Sequence, residues 1–142
     1  FNVFGPRQDP GSAYAAAVPI FIDRAARNEP ITIFGDGGQT RDFIYVKDVV
    51  AANVFLAMNE SEPGFYNVAY GGRLTINDLA KKIIALTGSA SRIEHAAERP
   101  GDVRHSMASI KRICSAGFKP TSNFDEGLRA TIDYFLADRG NA

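Results

Sequence analysis

The sequence predicts an α/β fold, on three observations. Short β-rich runs alternate with segments of helical apolar spacing along the whole chain. Gly, Pro, Asn or Asp separates nearly every pair of them. The strands are few and scattered, so they are not expected to build one complete sheet of their own. At 142 residues the chain is one domain by size, with no internal repeat, low-complexity segment or linker.

The elements follow in order. Phe1-Asn2-Val3-Phe4 is strand-like and stopped by Gly5-Pro6. It opens the chain without a Met, and a strand needs a partner, so more chain is expected upstream. Gly5 to Ala16 reads as a loop. Pro19 suits the first turn of a helix whose inner face is Val18, Phe21, Ile22, Ala25 and Ala26, ended by Asn28 and Pro30. Ile31 to Phe34 is a strand, and Gly35-Asp36-Gly37-Gly38 a tight exposed turn. Arg41 to Val46 is extended, with Phe43 and Tyr45 on one side. Lys47 to Asn59 is helical, with apolar spacing at Val46, Val49, Val50 and Ala57, and Phe65 to Ala69 is a further strand.

Thr75 caps the clearest helix, with Asp78 at its third position, Leu79, Ile83 and Leu86 as its buried stripe and Gly88 as its stop. Arg92 to His95 is a short strand, and Ser109 to Ala116 a helix ended by Gly117. Asn123 caps a last helix that carries Leu128, Ile132, Phe135 and Leu136 inward. The total is about five helices and four or five short strands.

Composition narrows the function. Apolar content of 45% and charged content of 23% are ordinary for a globular protein. Sixteen basic residues balance sixteen acidic ones, which argues against a general nucleic-acid binder but leaves room for a local basic pocket. Cys114 is the single cysteine, so no intrachain disulfide can form; it reads as a packing residue, and a reducing cytoplasm is the expected setting. No apolar run approaches the ~20 residues of a membrane span.

No Gly-x-x-Gly-x-x-Gly follows a strand, and no tyrosine has a lysine four residues later, so a dinucleotide fingerprint and a Tyr-x-x-x-Lys acid/base pair are both missing. His95 and His105 lack partners at metal-ligand spacing. Arg41 follows the Gly-rich turn, where a guanidinium forks well onto phosphate oxygens; the alternative is an exposed Arg paired with Asp42 or Asp36. In Arg99-Pro100-Gly101-Asp102, Pro-Gly sets a turn between a cation and a carboxylate, one for a phosphate and the other for a sugar hydroxyl. Phe34 is core or a face for a stacked base. Two Arg loops, an aromatic and a scarcity of general bases describe a binding lobe for an anionic, hydroxylated ligand.

The runs FNVFGPRQ, VPIFI, ITIFGDG-x-QTRDFIYVKDV, YNVA and RPGDVRHS, in this order, resemble the extended short-chain dehydrogenase/reductase family, and within it the C-terminal part of UDP-hexose 4-epimerases. The resemblance covers the whole chain. It implies that residues 1–5 are a late strand of a Rossmann sheet and residues 6–142 a sugar-nucleotide-binding lobe. The N-terminal half, with the NAD loop and Tyr-x-x-x-Lys, would lie outside this chain, which alone is expected to be inactive. The implied reaction oxidises the sugar at C4 with NAD, turns the 4-keto intermediate over and returns the hydride. Sister reactions on the same fold are 4,6-dehydration, decarboxylation and 4-ketoreduction; a non-catalytic binding module is the alternative from another class.

Position by position, the resemblance assigns Asn2 to the sugar diphosphate, and Ala17 and Val18 as backbone donors near the nucleotide. Thr32 and Phe34 would lie against the uracil. Arg41 and Arg99 would bind the diphosphate, Asp102 a ribose hydroxyl, and Phe43 and Ile76 would make smaller contacts. Gln8 and the run Arg7 to Ala16 are similar to epimerases of N-acetylated hexosamines, and Ser106 would leave room for the acetyl group beside C2. The partners implied are a UDP-sugar and a second subunit in a homodimer, with no nucleic acid and no membrane.

Overall fold

The computed structural model describes residues 2–12, 16–59 and 63–139. Its order is β1 (Val3–Phe4), α1 (Ala17–Ala26), β2 (Ile31–Phe34), β3 (Thr40–Arg41), β4 (Ile44–Tyr45), α2 (Val46–Met58), β5 (Leu74–Thr75), α3 (Ile76–Thr87), β6 (Ile93–Ala96), α4 (Lys111–Ser115) and α5 (Phe124–Arg139). The strands form three separate pairs: β1 with β4 and β2 with β6, both parallel, and β3 with β5, antiparallel. Among the described residues the chain is mixed α/β without a complete sheet, as the scattered strands predict.

The core lies where α1, α3 and α5 close over β2. Val18, Phe21, Ile22 and Ala25 of α1, Ile31 and Ile33 of β2, Leu79 and Ile83 of α3, and Leu128 and Ile132 of α5 are all buried together. Helical spacing puts each set on one stripe, and burial of each large aliphatic side chain stabilises by about 1.5–3 kcal/mol. β2 alternates in the same sense: Ile31 and Ile33 face the core, while Thr32 and Phe34 turn to the other side. The helix ends follow their caps. Thr75 Oγ1 accepts from Asp78 N at 3.0 Å, Gly88 closes α3 at φ 63°, and Asn123 Oδ1 accepts from Asp125 N at 2.8 Å before α5.

Several expectations are corrected. Residues 65–69 form no strand: Phe65 is 96% exposed, and the amides just beyond, at Tyr70, Gly71 and Gly72, bond to the buried Asp42 carboxylate instead of a ladder. The apolar spacing of α2 also misleads. Its inward residues are Asp48 and Ala52, whereas Val50, Val54 and Met58 are exposed and Ala57 with them. A charged residue takes the inner face because Asp48 Oδ1 accepts from Thr121 N and Ser122 N at 3.0 and 3.2 Å. Leu136 is exposed rather than inward, Cys114 is half-buried, and the helix expected over 109–116 is only Lys111–Ser115. The extended run 41–46 breaks into β3 and β4, with Tyr45 already the cap residue of α2. Within the Gly-rich turn Gly37 is buried, not exposed.

Candidate functional site

The Gly-rich turn is built as the sequence requires. Gly35 and Gly37 take φ values of 76° and 72°, open to glycine at little cost, and a Cβ on Gly37 would collide with the Asn77 amide. Asn77 Nδ2 donates to Asp36 O at 2.8 Å, so the start of α3 holds the turn. Gln39 Nε2 donates to Phe34 O at 2.8 Å and ties the end of β2 beneath it. The second loop is a tight turn: Asp102 N donates to Arg99 O at 3.2 Å, with Gly101 at φ 81°, so Pro100 and Gly101 occupy the central positions that favour them.

The two loops are joined. Arg104 grips the Asp36 carboxylate with two nitrogens at 2.6 and 2.8 Å, and Gly38 N adds a third bond at 2.8 Å. The Arg104 hydrogen bonds, with Gly38 N–H next, hold the Asp36 carboxyl well below the usual carboxylate range. Thr40 N donates to Arg104 O and Ser106 N donates to Thr40 O, at 2.9 and 3.1 Å. Thr40 Oγ1 and His105 Nδ1 lie 2.9 Å apart.

Between these loops, α1 and β2 opens a cavity of about 600 Å³. Nine of the residues assigned by resemblance line it: Asn2, Ala17, Thr32, Phe34, Arg41, Phe43, Ile76, Arg99 and Asp102. Arg41 Nη1 donates to Thr40 O and Val103 O at 2.9 and 2.7 Å, and its Nη2 meets Asp102 Oδ1 at 2.5 Å. The alternative, in which Arg41 pairs with Asp42 or Asp36, is not what forms. The Arg99 guanidinium carbon sits 3.8 Å from the centroid of the Phe34 ring. The start of α1 has no side-chain cap, and Pro19 at its third position has no N–H. The first-turn donors it presents are the amides of Ala17 and Val18.

Three assigned residues are not on the cavity wall. Gln8 bonds through Nε2 to Val3 O at 3.2 Å, the Val18 side chain is in the core, and Ser106 is half-buried beside Thr40. Of the run 7–16, Ala13, Tyr14 and Ala15 lie outside the described residues. The wall also includes Ala16, Ile20, Phe21, Arg24, Ile33, Gln39, Pro100 and Gly101, which sequence reasoning did not place there. Ile20 and Arg24 are one helical turn apart on α1, a spacing that could have marked them once one was known to face a ligand. Gln39 carried no signal beyond its place before Arg41. No cluster of His, Cys, Asp or Glu able to hold a metal occurs among the described residues.

The β-strand ends and glycine turns thus bring two loop arginines, a carboxylate and an aromatic ring to one cavity. The chain belongs to the NAD dependent epimerase/dehydratase family of extended short-chain dehydrogenases/reductases, whose sequence model matches residues 1–69. It is similar to the UDP-N-acetylglucosamine 4-epimerase of Methanobrevibacter ruminantium M1, solved with UDP-N-acetylmuramic acid. That match has 44% identity and a TM-score of 0.90, over 97% of this chain and 44% of that one. It is also similar to the UDP-glucose 4-epimerase of Thermotoga maritima, solved with UDP-glucose: 38% identity, TM-score 0.91, over 97% of this chain and 44% of that one. Among curated proteins, the dTDP-D-glucose 4,6-dehydratase of Mus musculus is 34% identical over 94% of this chain and 39% of its own length. The chain spans less than half the length of the curated relatives it matches. No helix among the described residues is long and apolar enough to cross a membrane.

Proposed function

We propose that this chain is the substrate-gripping part of an NAD-dependent UDP-hexose 4-epimerase that acts on UDP-GlcNAc/UDP-GalNAc, UDP-Glc/UDP-Gal or both. One observation carries the reading: Arg41 and Arg99, from separate loops, line the same cavity as Phe34 and Asp102. Two guanidiniums suit a diphosphate, which each can fork onto with a pair of charge-assisted hydrogen bonds. Thr32 and Phe34 offer a flat, partly apolar wall for uracil. Asp102 keeps one carboxylate oxygen for a ribose hydroxyl while the other meets Arg41. The uncapped amides of Ala17 and Val18 present donors to the nucleotide, and Asn2 reaches the sugar diphosphate. Epimerisation requires the nucleotide to be held while the sugar turns, and these groups supply the hold.

The residues of this chain do not fit the dinucleotide. The sequence has no Gly-x-x-Gly-x-x-Gly and no Tyr-x-x-x-Lys, and no tyrosine among the described residues lines the cavity. No redox step is therefore assigned to this chain, which by itself should leave UDP-GlcNAc unchanged in the presence of NAD. In this reading β1 and β4 are the late part of a Rossmann sheet, residues 6–142 are the sugar-nucleotide lobe, and the exposed valines of α2 face the NAD-binding half. The working enzyme is a cytoplasmic homodimer.

The test is UDP binding by calorimetry on the full-length protein. Arg41→Ala and Arg99→Ala should each weaken UDP about 10- to 100-fold, the worth of a charge-assisted hydrogen-bonded pair. If both variants bind UDP as the parent does, the reading is wrong. Ser106→Tyr should suppress turnover of the N-acetylated pair selectively, and equal loss on both pairs refutes its gatekeeper role. The 34% identity to a dehydratase favours one second reading. A sister reaction on the same grip, 4,6-dehydration above all, would reveal itself by accumulation of a 4-keto-6-deoxy sugar nucleotide.

A further inference from the structure

The two loop arginines of the cavity, Arg41 and Arg99, already have partners. Arg99 lies flat against Phe34, with its guanidinium carbon 3.8 Å from the ring centroid. Arg41 is engaged by Asp102 Oδ1 and Val103 O at 2.5 and 2.7 Å. Phe34 and Asp102 are the groups that, on the reading above, a base and a ribose would use. A planar base cannot enter a gap that a guanidinium fills at van der Waals distance.

We infer that Arg99 and Phe34 cover each other's binding faces, and that a nucleoside diphosphate binds by exchange of partners. The base takes the Phe34 face, and the displaced Arg99 turns to the pyrophosphate. This deepens the sugar-nucleotide reading and rests on it.

The geometry favours such an exchange. Arg99 is exposed, so its side chain has solvent to swing through. The backbone that carries it is fixed by the Asp102 N to Arg99 O bond at 3.2 Å and by Gly101 at φ 81°. Movement of the side chain alone suffices, and the same turn keeps Asp102 close to it. Below Arg99, Phe34 is held at the end of β2, its carbonyl taken by Gln39 Nε2 at 2.8 Å. The ring thus stands on an anchored strand end, and the cation on an exposed loop residue.

The consequence is a coupling between the two halves of the ligand. Pyrophosphate alone must draw Arg99 off the ring, and a nucleoside alone must evict it. When both are present the stack is broken once, so each binds more tightly in the presence of the other. An exposed cation–π contact sets the size of the effect at about two- to five-fold in affinity.

The experiment is calorimetric titration of the full-length protein with inorganic pyrophosphate, with and without saturating uridine. UDP serves as the control. Uridine should tighten pyrophosphate about two- to five-fold in the parent. Phe34→Leu should weaken UDP yet tighten pyrophosphate by the same factor without uridine, and uridine should then add nothing. That opposite pair of shifts separates the exchange from simple loss of a binding surface. If UDP binds the parent but pyrophosphate is indifferent to uridine, the exchange is refuted and the sugar-nucleotide reading stands. Should UDP itself fail to bind, both fall. The uridine effect in the parent decides the matter even if the Phe34 variant does not fold.

Discussion

Replacing Asp42 with asparagine swaps one oxygen for an amide nitrogen at a point where the fold has gathered three backbone donors. The Asp42 side chain is 1% exposed. Its Oδ1 accepts from Tyr70 N, Gly71 N and Gly72 N at 3.2, 3.1 and 3.4 Å, and its Oδ2 from Gly71 N at 3.2 Å. Asparagine keeps one acceptor, loses the charge that strengthens every bond, and turns an NH₂ toward amides that can only donate. One lost charge-assisted bond with a donor facing a donor amounts to about 2–3 kcal/mol. Asp42→Ala strands all three amides and should cost about 3–5 kcal/mol. Urea unfolding of the full-length protein reads both as a lower midpoint at unchanged slope. Arg41 and Phe43, on either side of Asp42, line the cavity, so the asparagine variant should also bind UDP more weakly. An asparagine variant within about 0.5 kcal/mol of the parent, with the slope unchanged, would refute the charge-held anchor; most surface changes fall in that range.

Three further outcomes are expected. Gly37→Ala forces a side chain into the left-handed region and into Asn77, so it should destabilise by about 1–3 kcal/mol and weaken UDP through the turn that carries Arg41; thermal melting and UDP titration check it. Thr75→Ala removes the acceptor for Asp78 N and should cost about 1 kcal/mol in urea midpoint with no change in UDP affinity. Asp36 is held below its ordinary value by Arg104, so its contribution is full above the unfolded value near about 4 and fades as pH falls below it. The melting-temperature gap between the parent and Asp36→Asn should therefore be constant from pH 5 to pH 8 and close only in stronger acid, and a gap that closes near neutrality would contradict that order.

Elements set by local chemistry were readable in the chain. The Thr75–Asp78 cap, the Pro-Gly turn after Arg99 and the strand over 31–34 each depend on residues a few positions apart, and each is found in the structure. The misses share a cause. Asp48 on the inner face of α2 and the lack of a strand over 65–69 are decided by distant backbone amides that meet a carboxylate, and no periodicity records such a meeting. The cavity divides the same way. Arg41, Arg99 and Asp102 stood out as charges beside turns. Ile20, Arg24 and Gln39 join the wall because α1 and β2 lean over it, a fact of packing. That Arg41 would choose Asp102 over its neighbours Asp42 and Asp36 followed from alternation only in hindsight: Asp42 points into the protein and Asp36 belongs to Arg104.

Helix α2 leaves Val50, Val54 and Met58 at 56, 57 and 80% exposure along one side. Spacings of four residues stack these side chains into a single greasy ridge. Handled by itself, a polypeptide bearing such a ridge would cling to plastic, to detergent and to its own copies as concentration rises. Its apparent size in dilute solution would then measure that cling more than any designed assembly.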